Sequence, residues 1–267
     1  MHKSRNSIII VVILLITSIF ILLPFYWLKN KPVHVSIDDV EICLRDLQDN
    51  DEQYLSVFQQ PFLSNLRRLH QQTGAKFTLY TYECSGNYHV SKIPKRFIHE
   101  IRENADWLRF GFHAKEPEFI KDSVTRLEYF KEAYASLESS KLVVCGGGNL
   151  RLHYYYATPE EVAFLKEKGV KVLLSADDDR ISYSLPQNIN KLLLQKENII
   201  YNGMTYERTD IRIEKTWCPI IDLLKNRNDE MIVVFTHEWA QQQQKVNRLK
   251  FLFTLYFLSL YKANFIF

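Results

Sequence analysis

Three kinds of hydrophobic run can be told apart along the chain. The first covers residues 8–28, almost continuously apolar and broken only by Thr17, Ser18 and Pro24. A run of this length matches the roughly 20 residues that cross a bilayer as a helix. No small-residue cleavage site follows it, so the pattern predicts a retained single-pass anchor over residues 1–30 rather than a removed leader. Lys3 and Arg5 precede the run and Lys29 and Lys31 follow it, a weak asymmetry that sets the N-terminus inside and the rest of the chain outside the cytoplasm.

The second kind is short and rich in β-branched and aromatic residues. Val33, Val35 and Ile37 alternate, as a buried strand requires. Similar strands are expected over residues 76–83, 107–113, 142–145, 170–174, 231–235 and 264–267, with a polar hairpin over 199–215. The third kind has helical spacing. Leu55, Phe58, Phe62, Leu66 and Leu69 predict a helix over 54–72 stopped by Gly74, and further helices are expected over 94–104, 117–137 and 159–168. Residues 249–260 are apolar but too short for a second span, and read as a terminal helix with a broad buried face. Strands alternating with helices predict an α/β fold with a mainly parallel sheet, one domain over residues 31–267.

Composition narrows the chemistry. The net charge is +3, with acids and bases dispersed, so no basic stripe marks nucleic acid as a partner. Cys43, Cys84, Cys145 and Cys218 stand far apart without a CxxC pair, which argues against a zinc ribbon or redox motif. Gly146, Gly147 and Gly148 lack the Gly-Lys-Ser/Thr ending of a phosphate loop, so no nucleotide is expected.

In α/β folds function gathers where strands end. Asp38 and Asp39 close the first strand, His113 the third and His237 the one near residue 235. Two adjacent carboxylates repel, and a divalent cation relieves the repulsion if one binds it and the other remains a base. Taken singly, each of these residues also has a structural reading: Asp38-Asp39 as a turn, His113 as a packed core side chain, the run at Asp177 as a solvated loop. His34, inside the first strand, reads as structural.

The motifs at these strand ends resemble those of the polysaccharide deacetylases, the NodB-homology or carbohydrate esterase family 4 group. Ser36-Ile37-Asp38-Asp39-Val40 is similar to that family's first motif, Phe110-Gly111-Phe112-His113-Ala114 to its second and Thr236-His237-Glu238-Trp239 to its last. The resemblance spans about Lys31 to the C-terminus. It implies a distorted (β/α) barrel of the glycoside hydrolase/deacetylase type, with Asp38 as general base, Asp39 and His113 as metal ligands and His237 as general acid. Arg151 matches the third motif loosely, and Asp177 stands where the family carries an acid that orients that arginine. One departure is plain: the family's second histidine, four residues past the first, is Pro117 here. Glu116, Glu118 or His153 would have to supply the missing ligand.

By this resemblance the chain is expected to be a metal-dependent hydrolase, with zinc first and cobalt, nickel or manganese as other choices, removing N-acetyl or O-acetyl groups from a cell-surface polysaccharide. Two alternatives stand beside it. One is an inactive deacetylase-like protein that binds or assembles polysaccharide. The other is a glycosidase using Asp38 and Glu238, which carboxylate placement would decide.

Overall fold

The computed structural model describes residues 23–118, 125–142 and 148–267. Its strands are β1 (Pro32–Val40), β2 (Phe77–Tyr82), β3 (Cys84–Ser85), β4 (Tyr88–His89), β5 (Leu108–Ala114) and β6 (Asn149–Leu150). They continue with β7 (Val172–Leu174), β8 (Asn198–Tyr201), β9 (Met204–Glu207), β10 (Ile211–Arg212), β11 (Ile232–His237) and β12 (Asn264–Ile266). β1 is central. It pairs in parallel with β11 along one edge and, along the other, with β12 at its start and β2 further on, in a sheet ordered β10-β11-β1-β2-β5. A second sheet, β6-β7-β9-β8, is parallel except for the hairpin strand β8.

The parallel α/β expectation holds, in two separate main sheets. Side chains, rather than a continuous ladder, join them. The Tyr80 hydroxyl of β2 donates to the Asn149 carbonyl of β6 at 2.6 Å, and Thr209 donates to the Ser175 carbonyl at 2.6 Å while its own oxygen accepts from Arg151. Val33, Val35 and Ile37 are fully buried, as their alternation requires, but so are His34 and Ser36 between them. β1 is thus covered on both faces, the situation of a central parallel strand. Gly111 answers a close approach: a Cβ there would meet the Tyr80 ring on β2 at 2.7 Å.

Helix boundaries follow local chemistry. The expected helix over 54–72 begins only at Pro61, in the helix Pro61–Thr73, because Gln60 caps it and proline suits a first turn. Residues before it form the short 3₁₀ turn Val57–Gln59. Gly74 ends the helix with φ 73°, the left-handed conformation glycine adopts without strain. The segment read as a helix from 117 lies partly outside the described residues, and the helix seen is Arg126–Ser140. The strand expected over 142–145 likewise falls largely outside them. Gln187–Gln195 is a helix that the sequence reading did not identify.

Most of the N-terminal apolar run, residues 8–22, also lies outside the described residues. Its last part, Leu23–Leu28, is a 3₁₀ turn packed on the domain, with Leu28 fully buried and the Phe25 ring edge-on to Phe257 at 4.8 Å. Among the described residues no helix is long and apolar enough to cross a membrane.

Candidate active site

The first two acidic residues owe their positions to a break in the sheet. The β1–β2 register shifts between Ile37 and Val40, and Asp39 has φ 55°, a conformation that an L side chain seldom adopts. Such a bulge re-aims side chains at a strand end. Asp38 stays in register opposite His237 on β11, so both residues reach the same end of the sheet.

Asp39 is the hub. Its Oδ1 lies 3.2 Å from His113 Nε2 and 3.3 Å from His153 Nδ1, and the two imidazole nitrogens are 3.3 Å apart. These three residues form the one group of histidine, cysteine and acidic side chains, among the described residues, whose ligand atoms converge within 4.8 Å. A tetrahedral ion with bonds of about 2.0–2.1 Å holds its donors roughly 3.3 Å apart, so the spacing fits zinc-like coordination. His113 adds a second sign of fit. Its Nδ1 stands 2.8 Å from the Arg151 carbonyl, which fixes the protonated nitrogen and leaves Nε2 aimed at Asp39, as ligating histidines are usually held.

His153 is the third member of this group. It comes from a different segment, two residues after Arg151. Glu116 and Glu118 do not join the group. Glu116 accepts a hydrogen bond from Tyr129, and both line a small neighbouring cavity with Arg126 and Glu161.

Electrostatics sort the three donors. Burial alone would raise the Asp39 carboxyl, but the hydrogen bonds from His113 and His153 hold it well below the usual carboxylate range. Burial pulls the His113 imidazole down and is outweighed by Asp39, leaving it raised. For His153 burial wins, and the imidazole is lowered. Tyr82, at the end of β2, donates to Asp39 and lies 2.9 Å from His153 Nδ1.

Asp38 is held separately. The guanidinium of Arg151, fully buried, lies 3.2 Å from Asp38 Oδ1 and also donates to Ser36 at 2.6 Å and Thr209 at 3.0 Å. Asp177 does not orient Arg151: its carboxylate pairs with Lys215 at 3.1 Å and approaches Arg212 at 4.0 Å. His237 completes the site, with Nε2 3.8 Å from Asp39 Oδ2 and Nδ1 3.5 Å from Glu214 Oε2. Glu214 is fixed by the Thr236 hydroxyl at 2.5 Å and the His237 amide at 2.9 Å. Burial opposes its ionisation, yet His237 and these donors keep its carboxyl below the usual range.

Asp38, Asp39, His113, His153 and His237 open together into a cavity of about 220 Å³ that Arg180 and Arg212 also line. Glu238 is absent from it. Its two oxygens accept the amides of Glu41, Ile42 and Cys43 at 2.7–2.8 Å, capping the helix Ile42–Asp49. The Asp38–Glu238 pair that a glycosidase would need is therefore not assembled in this cavity.

No known protein-family profile matches the chain, and no curated protein matches it. Solved structures do. A Mycobacterium smegmatis protein described as a polysaccharide deacetylase matches with a TM-score of 0.50 at 13% identity, over 84% of this chain and 83% of that one. The Bc1960 peptidoglycan N-acetylglucosamine deacetylase matches with a TM-score of 0.49 at 12% identity, over 89% and 86%. A Bordetella bronchiseptica protein described as a polysaccharide deacetylase involved in O-antigen biosynthesis gives 0.46 at 10%, over 88% and 92%. At these identities the likeness is one of fold. The α/β architecture with its parallel sheet is that of the polysaccharide deacetylases.

Proposed function

We propose that this protein is a metal-dependent hydrolase that removes acetyl groups from the sugars of a cell-surface polysaccharide. The observation that carries the reading is the convergence of Asp39, His113 and His153 beside two differently held partners, Asp38 with Arg151 and His237 with Glu214. Asp39, His113 and His153 would hold a divalent ion, zinc by donor type and spacing. Bound there, it supplies Lewis acidity for an acetyl carbonyl and lowers the pKa of water.

The chain's own groups divide the proton work. Asp38, fixed in direction by Arg151, accepts the proton of the attacking water. His237, backed by Glu214, gives a proton to the departing amine nitrogen, so that acetate and a free amino sugar result. Arg180, paired with Asp178, and Arg212, paired with Glu214, also line the cleft and offer donors to substrate hydroxyls. Support for the polysaccharide as substrate comes from the fold shared with deacetylases of that class. We further read residues 8–28 as a membrane anchor that keeps the domain outside the cytoplasm, on the length of the apolar run alone.

The test is metal content and acetate release on the purified full chain, wild type beside Asp39→Ala and His113→Ala. Stoichiometric metal lost from both variants, with acetate released only by the wild type, supports the reading. A folded wild-type protein that binds no divalent metal refutes it and leaves a non-catalytic, glycan-binding role.

A further inference from the structure

The C-terminal helix Lys245–Leu260 is apolar on two opposite faces. Asn247, Phe251, Thr254, Leu255 and Leu258 are buried against the domain. Val246, Leu249, Phe253, Tyr256 and Leu260 are instead 40–68% exposed. At about 100° per residue these five fall within an arc of roughly 80°, one continuous stripe along the whole helix. An exposed stripe of this kind marks an interaction surface.

Two observations identify what covers it. The first is charge. No acidic residue follows Glu238 in the sequence, whereas Lys245 and Arg248 flank one end of the stripe and Lys262 the other. The second is where the chain outside the described region enters. The turn Leu23–Leu28 packs on the last turns of this helix through Phe25 with Phe257 and Tyr261, and the Asn30 amide donates to the Lys262 carbonyl at 3.0 Å. The 22 residues before that turn contain the apolar run. Beside Leu260, Tyr26, Lys29, Tyr261 and Lys262 border an open hollow of about 220 Å³. Aromatic and basic side chains grouped this way are those that settle at headgroup level.

We propose that this stripe lies flat in the headgroup boundary of an anionic bilayer, continuing the membrane contact begun by the N-terminal apolar run. The placement rests on reading that run as an anchor. It has a consequence for the substrate. The helix starts beside the strand ends that carry the active site and finishes beside the entry of the anchor, about 24 Å away at 1.5 Å per residue. A domain lying on this helix opens its cleft along the membrane surface, toward glycans held close to it, instead of outward.

The experiment uses the full chain with Cys84, Cys145 and Cys218 replaced by serine and one polarity-sensitive thiol label, at Phe253→Cys or, as a second variant, Leu249→Cys. Ile200→Cys, exposed on β8, is the reference. The protein is reconstituted in vesicles of phosphatidylcholine with or without phosphatidylglycerol, and flotation reports anchoring independently of the label. The expected result is a blue shift, a several-fold rise in emission and quenching by doxyl lipids at 253 and 249 but not at 200. The effect is expected to shrink in neutral vesicles and in Lys245→Glu/Arg248→Glu. Chains that float while 253 and 249 stay water-exposed overturn the docking and leave the anchor intact. Failure to float overturns both. A label already shielded without lipid also overturns the proposal: concentration dependence assigns the cover to a second copy, and concentration independence assigns it to residues 1–22 of the same chain.

Discussion

Replacing His153 by alanine is the sharpest perturbation of the metal reading, because nothing in the motif order marks this residue as a ligand. Loss of an outer partner of a metal site costs about 10- to 100-fold in affinity, so loss of a direct ligand is expected to exceed about 100-fold, or roughly 2.7 kcal/mol. Glu116→Ala, whose carboxylate bonds to Tyr129 outside the donor group, is expected to leave affinity within a few-fold. The pH dependence carries a second magnitude. In the metal-free site the raised His113 imidazole holds its proton to higher pH than a free histidine does, shared with Asp39, and an incoming cation must displace that proton. Burial lowers His153, so it loses its proton at lower pH than a free imidazole. Affinity should therefore fall about tenfold per unit as pH drops below the His113 value, one proton per ion, and steepen only at more acid pH where His153 also protonates. Competition titration against a chromophoric zinc chelator between pH 5 and 8, with thermal melts to check folding, measures both. A His153→Ala protein that binds within tenfold of wild type, or an affinity flat with pH, refutes the ligand assignment.

Three further outcomes are expected. Arg151→Met strands the buried Asp38 carboxylate and should cost about 3–5 kcal/mol, lowering Tm by about 10 °C, with much of the loss recovered in Arg151→Met/Asp38→Leu by thermal melts. A loss below about 1 kcal/mol would mean that Asp38 is not a buried charge. Glu214→Gln, which leaves His237 facing a neutral amide, should lower the rate of acetate release by roughly 10- to 100-fold without releasing metal; unchanged kinetics would remove Glu214 from the site. Glu207 is buried with Oε1 unpartnered among the described residues, and burial together with the nearby Glu197 and Asp210 carboxylates pushes it up to about 9. Its folded form keeps a proton that the unfolded chain loses near pH 4.5, so the stability it lends declines as pH rises from there toward 9. Glu207→Gln should flatten that slope and gain on the order of 3 kcal/mol at pH 7, measured by urea unfolding across the range.

Strand ends were legible in the sequence because alternation and β-branching mark strands, and in a parallel sheet the residue after such a run lies at the functional edge. Asp38, Asp39, His113 and His237 were found that way, and they share one cavity. What stayed hidden depends on contacts between distant segments. His153 was one of three candidates for the missing ligand, but it follows a two-residue strand too short to show a period, and only the fold that brings its segment to Asp39 separates it from Glu116 and Glu118. Tyr82 looked like any aromatic closing a strand. Glu214 was absorbed into an expected hairpin, although Ile211 and Ile213 are buried around Arg212 in the pattern of a strand. Asp177 drew attention as part of an acidic run, which is a property of neighbours in sequence, while its partners are Lys215 and Arg212.

The central place of β1 also governs when the protein can fold. This strand is made first, yet two of its three partners, β11 and β12, belong to the last 36 residues, and the cap on the following helix is Glu238. Contacts of such sequence separation make folding slow, since most of the chain must be present before they repay the cost of closing the loop. Until β11 and β12 have been made, β1 has an open, β-branched edge, the kind of surface on which chains aggregate. A nascent chain tethered at its N-terminus would expose that edge close to the tether throughout, so the protein's yield should depend on how quickly its final strands are delivered.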